Sequence, residues 1–205
     1  MIDIIDYGMG NIGSIANMLK KIGLKVIVTS DPADLAAADK YILPGVGSFD
    51  NAMTELSRSQ IKNILTKEVT QNSKPILGIC LGMQVMSNFS EEGILPGLGL
   101  LNSEVKKFHF PHNAANLKIP HIGWNTVSSH KNCLLFDSMD PEAEFYFTHS
   151  YHLEVEDTDI VVGTTHYGYD FPSVIQKDNI YAVQFHPEKS HKYGMKLLQN
   201  FLELT

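Results

Sequence analysis

The sequence predicts an α/β fold: a doubly wound, mainly parallel central sheet with added antiparallel strands. Three observations carry this expectation. Over about the first 90 residues, short apolar runs alternate with longer amphipathic ones, the rhythm of successive βαβ units. After Gly97 the texture changes to β-branched and aromatic runs separated by turns, the pattern of antiparallel ribbons. The 205 residues are 43% hydrophobic and 19% charged, with 15 Gly and 9 Pro spread among them, as in an ordinary globular domain. A chain of this size hides roughly 70% of its unfolded surface, enough for a core without staples. No repeat, low-complexity tract or linker interrupts it, so residues 1–205 read as a single domain.

Taken in order, Ile2 to Asp6 is a short strand-like run and Gly8 to Gly13 a loop. Ser14 to Ile22 is a helix with Ile15, Met18, Leu19 and Ile22 at 3.6-type spacing. Lys25 to Thr29 reads as a strand, Pro32 to Ala38 as a short helix, and Lys40 to Leu43 as a third strand ended by Pro44-Gly45. Helical pattern runs from Asn51 to Val69, Pro75 to Ile79 gives a fourth strand, and Leu81 to Asn88 a helix behind it. The antiparallel candidates are Leu100 to Phe108, Pro120 to Val127, Phe145 to Thr148, Ile160 to His166, Val174 to Gln176 and Tyr181 to Phe185. Tyr193 to Leu204 closes the chain as a helix burying Leu197, Leu198, Phe201 and Leu202.

Charge and cysteine content exclude several classes. The formal charge is −7, from 16 Lys+Arg against 23 Asp+Glu, and no basic stripe stands out, so nucleic acid is not an expected partner. Two cysteines, Cys80 and Cys133, are too few for a disulfide framework and lack metal-site spacing; they read as thiols in a reducing compartment. Asp3 and Asp6 stand where a secretory signal needs basic residues, and no stretch approaches 18 apolar residues. A cytoplasmic protein without a membrane partner is expected. The His109/His112 and His149/His152 pairs lie in extended or turn sequence without a third ligand and read as non-metal residues.

Four segments bear on chemistry. Gly8-Met9-Gly10-Asn11-Ile12-Gly13 fits G-x-G-x-x-G between a strand and a helix, with Asp31 near a ribose-binding position. Any tight strand-to-helix turn favours glycines, so this match alone is weak. Gly78-Ile79-Cys80-Leu81-Gly82 is sharper. An apolar strand runs into a turn with glycines two positions either side of a nucleophile, the pattern of a nucleophile elbow with Cys in place of Ser. A helix start behind Cys80 would favour its thiolate.

Gln184-Phe185-His186-Pro187-Glu188 supplies a base and an orienter. His186 follows an apolar strand that Pro187 ends, and Glu188 can return to hold the other ring nitrogen. Leu43-Pro44-Gly45-Val46-Gly47 offers flexible backbone able to aim an N–H at a developing oxyanion. Cys133 has no flanking glycines and reads as a packed thiol.

Gly78-Ile-Cys-Leu-Gly-Met-Gln84, Pro44-Gly-Val-Gly47 and Phe185-His-Pro-Glu188, in this chain order, resemble the class I, triad-type glutamine amidotransferases. Asp6-Tyr-Gly-Met-Gly-Asn11, Pro120-His-Ile-Gly-Trp-Asn125, Tyr146-Phe-Thr-His-Ser-Tyr151 and Gln184-Phe-His-Pro-Glu-Lys-Ser190 narrow the resemblance. They are similar to the branch of glutaminase subunits paired with a (β/α)8-barrel cyclase in histidine biosynthesis. The resemblance covers essentially the whole chain. It implies a flavodoxin-like amidotransferase fold and assigns the Gly8–Gly13 stretch to a partner-side loop rather than a nucleotide site.

The resemblance implies that Cys80, His186 and Glu188 are the catalytic triad, hydrolysing L-glutamine through a thioester without a cofactor or metal. Leu81 and Val46 are the implied oxyanion donors. Gly47, Gln84, Glu92, Ser150 and Tyr151 are implied around glutamine. Asn11, His121, Trp124, Asn125, Tyr146 and Lys189 are implied contacts with the barrel of a heterodimer. The isolated chain is then expected to be nearly inactive, because the partner arranges the Gly45–Gly47 donors. Thr148, where a Val is usual, and the basic, aromatic Ser190–Met195 segment depart from the common pattern. They resemble a paralogous branch that feeds ammonia to amidination of a surface-polysaccharide sugar. A non-catalytic docking subunit is the third reading.

Overall fold

The computed structural model describes residues 2–110, 117–129 and 133–204. The first half runs β1 (Ile2–Ile5), α1 (Ile12–Lys21), β2 (Val26–Thr29), α2 (Pro32–Ala37), β3 (Lys40–Gly45), α3 (Phe49–Arg58), α4 (Ile61–Thr70), β4 (Ile76–Cys80) and α5 (Leu81–Gln84). The second half runs β5 (Phe89–Ser90), β6 (Ser103–Lys107), β7 (His121–Thr126), β8 (Ser128–Ser129), β9 (Glu144–His149), β10 (Tyr151–Val155), β11 (Val161–His166), β12 (Asp170–Lys177), β13 (Ile180–Val183) and α6 (His191–Glu203).

Eight strands form the main sheet in the order β2-β1-β3-β4-β13-β12-β11-β8. β2 through β13 are parallel and the last three are antiparallel, as the alternating first half and the turn-rich second half predict. Successive strand residues face opposite sides: Ile4, Ile42 and Leu77 join one core with α1 and α6, while Ile5, Leu43 and Ile76 join the other with α2, α3 and α4. β4 is buried at all five positions, as a central parallel strand must be.

Several expected elements change on folding. Tyr181–Phe185 is not part of an antiparallel ribbon alone: β13 pairs in parallel with β4 and antiparallel with β12, joining the two regimes. Two ribbons stay off the main sheet, as the small sheets β10-β6-β5 and β7-β9. β10 has no clear alternation in sequence because His152 and Leu153 are both buried.

The single helix expected over Asn51–Val69 is two helices, broken at Gln60, which is left-handed at φ 61°. Continuing the stripe Phe49, Ala52, Met53, Leu56 in one helix would bury Ser59 or Gln60. The break instead re-phases the chain so that Ile61, Leu65 and Val69 face the core. The helix expected over Leu81–Asn88 stops at Gln84 because its later carbonyls are taken elsewhere. Leu98 N–H donates to Val85 O, Leu100 and Leu101 N–H to Met86 O, and Gly97 N–H to Asn88 O.

The carboxyl ends of β1, β3, β4 and β13 point the same way. They carry the Gly8 loop, the Pro44–Gly47 segment, Cys80 and Gln184–Glu188, so every chemically interesting segment collects at one edge, where open α/β sheets bind ligands.

Candidate active site

Cys80 ends β4 with φ 54° and ψ −111°, a conformation that a side-chain-bearing residue adopts only under constraint from its surroundings. Its neighbours supply that constraint. A Cβ on Gly82 would lie 1.8 Å from the Leu43 carbonyl oxygen, and one on Gly78 would lie 2.8 Å from the Gly82 oxygen. Only glycine fits at either flank, which lets the turn fold against β3 and hold the sulfur at the sheet edge. The helix behind it is a single turn, Leu81–Gln84.

His186 leaves β13, and Pro187–Lys189 form a short 3-10 turn that returns Glu188 beneath the imidazole. Nδ1 of His186 donates to Glu188 Oε1 at 2.8 Å; both side chains are 1% exposed. This leaves Nε2 buried with no hydrogen-bond partner among the described residues. Burial opposes charge on His186, but the Cys80 sulfur and the Glu188 carboxylate favour it more strongly and raise its pKa. Ser190 locks the turn: its hydroxyl donates to His186 O at 2.6 Å and accepts from Tyr146 N–H at 3.0 Å, while His186 N–H donates to Tyr146 O at 2.9 Å.

A cavity of about 420 Å³ opens over the sulfur. Cys80, His186, Leu81, Val46 and Gly47 line one side, and Gln84, Glu92, Ser150, Tyr151 and Lys189 complete it. Glu188 sits behind His186, outside the cavity wall. Leu81 opens the helical turn after Cys80, where a first-turn N–H has no partner inside the helix. Gly47 is held at φ 104°. Glu92 accepts from Phe49 N–H at 2.9 Å, and burial raises its pKa against that bond. Gln84 is almost fully buried and donates inward to Tyr151 O at 2.9 Å and to Gln184 Oε1 at 3.1 Å.

The residues expected at a partner surface divide into two groups. Trp124 is 45% exposed, stacks on His191 with ring centroids 5.3 Å apart and meets Tyr146 edge-on; Lys189 Nζ stands 5.3 Å from the Tyr146 centroid. Ile122, 60% exposed, extends this apolar face along β7. Asn11, preceding α1, and Asn125 on β7 are half-buried. His121 is not at the surface: it is 3% exposed, stacked against Phe147 and Tyr167. It faces inward because alternation along β7 sends position 121 to the core side and Ile122 outward.

Sequence reasoning passed over Gln184, His149 and Ser190 as site residues. Gln184 is wholly buried beside Cys80, and His149 lines the cavity with Pro120 and Thr148. Their signal was a polar side chain at the end of an apolar strand, which must find partners inside. The ring nitrogens of His149 and His152 are used by His121, Tyr151 O, Leu153 O and Tyr169. Among the described residues no group of three or more His, Cys, Asp or Glu is arranged to hold a metal. His112 lies outside the described residues.

The fold and the glycine-flanked cysteine define a class, and comparison with known proteins agrees. The family "Glutamine amidotransferase class-I" matches residues 3–204, and this chain belongs to it. The chain is 52% identical over 203 residues to a protein of Methanococcus maripaludis named imidazole glycerol phosphate synthase subunit HisH 2, covering 99% of each. It is 44% identical to the Bdellovibrio bacteriovorus protein named subunit HisH of the same synthase, covering both chains fully. In structure it is similar to PurLQS from Thermotoga maritima, with TM-score 0.72 and 19% identity over 98% of this chain and 96% of that one.

Proposed function

We propose that this chain is the glutaminase subunit of imidazole glycerol phosphate synthase, working as one domain beside a (β/α)8-barrel cyclase. Relatives that carry that subunit's name are 42–52% identical along their whole length. They favour the histidine branch over the sugar-amidinating paralogue that Thr148 and Ser190–Met195 suggested. The observation that carries the chemistry is the constrained Cys80 backbone, which holds the sulfur in the cavity with His186 and, behind it, Glu188.

Cys80 sulfur attacks the carboxamide carbon of glutamine, and the C–N bond breaks after His186 has taken the thiol proton and returned it to the departing nitrogen as ammonia. Glu188 fixes the tautomer that leaves Nε2 for this traffic. Water, deprotonated by His186, then cleaves the thioester to give glutamate and regenerate the thiol. Leu81 N–H and Val46 N–H are the donors to the oxyanion in both halves. Gly47, Gln84, Glu92, Ser150 and Tyr151 hold the amino-acid end.

Ammonia is a nucleophile only when neutral, and at pH 7 water converts it largely to ammonium, so it must pass directly to its acceptor. The exposed Trp124 and Ile122, with half-buried Tyr146 and with Lys189 beside the cavity mouth, suit a partner that covers this edge, aromatic and basic residues being common anchors. Asn11 and Asn125 are proposed at its margin, with His121 acting from beneath. The two free thiols fit a cytoplasmic location. Among the described residues no helix is long and apolar enough to cross a membrane.

The test is glutamate release by the chain with and without its cyclase subunit. Cys80→Ser is expected to lower turnover at least about a thousandfold, the loss typical of a missing nucleophile. Full turnover by this variant removes the assignment, and high turnover by the unpartnered chain removes the dependence on the cyclase.

A further inference from the structure

One oxygen atom sets the direction of a buried polar chain that ends on the sulfur. The Tyr151 carbonyl accepts from Gln84 Nε2 at 2.9 Å and from His149 Nδ1 at 2.8 Å. A carbonyl can only accept, so both partners must present N–H groups to it. Toward the site, the nitrogen of Gln84 also donates to Gln184 Oε1 at 3.1 Å. Gln184 is thereby turned with its own nitrogen toward Cys80 Sγ, 3.8 Å away. Gln184 is wholly buried and its backbone is tied to Ser173 O, so reversing its amide would set N–H against N–H and leave one Gln84 hydrogen without an acceptor.

Away from the site the same logic continues through the histidines. His149 carries its hydrogen on Nδ1, and burial lowers its pKa to about 3, so Nε2 is a bare acceptor. It takes the Nδ1 hydrogen of His121 at 3.0 Å, and His121 Nε2 in turn faces Asn125 Nδ2 at 3.3 Å. Asn125 also donates to His166 O. The chain thus links β7, which presents Trp124 and Ile122 outward, to the sulfur at the sheet edge.

We propose that Gln184 is a catalytic residue of the glutaminase reaction: its carboxamide N–H holds the negatively charged Cys80 sulfur, in a direction imposed by the Tyr151 carbonyl through Gln84. This rests on the proposed role of Cys80 as the nucleophile. The bond acts twice in a turnover. It stabilises the thiolate before attack, and it receives the same thiolate when water cleaves the thioester and the sulfur leaves. In the thioester itself the sulfur is uncharged and the bond is weak, so Gln184 favours the two steps in which charge sits on sulfur.

Gln184→Met tests this, because it keeps the length of the side chain and adds no charge but removes the N–H that faces the sulfur. With the cyclase subunit present, the readout is the rate of Cys80 alkylation by iodoacetamide as a function of pH, followed on the Cys80 peptide by mass spectrometry. The titratable groups acting on the sulfur, His186 and Tyr7, are unchanged in the variant. The alkylation midpoint is expected to rise by about one pH unit or more, as for a lost hydrogen bond to a charged group. Turnover should fall at least about tenfold while KM for glutamine moves less than about threefold. A folded variant with an unmoved midpoint overturns the proposal.

Gln84→Leu provides a second arm should Gln184→Met not fold. It frees the Gln184 amide to reverse, and alkylation by iodoacetamide needs no glutamine site. An upward shift is expected again, and an unchanged midpoint shows that the Tyr151 carbonyl does not orient Gln184. Neither result depends on turnover by Cys80→Ser, which tests the nucleophile separately.

Discussion

Two glycine-rich strand-to-helix turns in this chain have similar sequences and different causes. Gly8–Gly13 follows β1, and Gly78–Gly82 brackets the end of β4. In the second, the glycines are demanded by neighbours: a Cβ on Gly82 meets the Leu43 carbonyl at 1.8 Å, whatever the local backbone prefers. In the first, Gly8 and Gly13 have open space, and Gly8 is required only by its own φ of 83°. Gly10 is intermediate, with Pro44 at 2.9 Å and φ 136°. A fingerprint of spaced glycines therefore says that a turn is tight. Whether the turn is tight because something must pack there, as at Cys80, is a property of the neighbours.

Substitution can break or sharpen this contrast. The largest effect is expected from Gly82→Ala, which forces β3 and β4 apart at the elbow. More than about 3 kcal/mol of stability should be lost, with glutaminase activity, in urea denaturation of the folded chain. An unchanged midpoint would make the elbow as slack as the first turn.

Next comes a charge effect in the packed region that borders the site. Burial lowers the pKa values of His121 to about 4 and His149 to about 3, below the ordinary 6.5. The unfolded chain therefore binds more protons between these limits. The contribution of these two histidines to stability is full above about pH 6.5 and falls as pH drops toward 4, by up to about 1.4 kcal/mol per pH unit for each. Thermal melts from pH 7 to pH 4 should show this decline, and His149→Gln should flatten it. An equal slope in the variant would assign the decline to other groups.

Smaller changes are expected in the first turn. Gly8→Ala should cost about 1–2 kcal/mol through its left-handed backbone, with no steric clash. Gly13→Ala, inside α1 with open space around it, should gain up to about 1 kcal/mol. A loss at Gly13 comparable to that at Gly82 would erase the difference between the turns.

Much of the fold was legible in the sequence, because parallel strands and amphipathic helices follow from local periodicity. The helix break at Gln60 and the early end of α5 were not. The first depends on which stripe meets the sheet, and the second on carbonyls claimed by residues 97–101, far along the chain. In the site, Cys80, His186 and Glu188 stood out because small flanking residues and a nearby carboxylate are local signals. Gln184 and His149 did not, since their meaning lies in the atoms they reach: Cys80 Sγ, Tyr151 O and His121. His121 was legible as part of a motif but not as buried, because only the pairing of β7 with β9 decides which face turns inward.

Residue type and spacing alone determined the inventory of this protein: an α/β chain, one thiol between glycines, a histidine with a carboxylate two residues on. Those features depend on a few adjacent residues and their backbone preferences. Tertiary structure decided which groups meet. It brought the ends of β4 and β13 side by side, left Nε2 of His186 free in the site, and aimed Gln184 at the sulfur. Such meetings depend on strand order and on hydrogen-bond direction across the core, neither of which any local stretch of sequence contains.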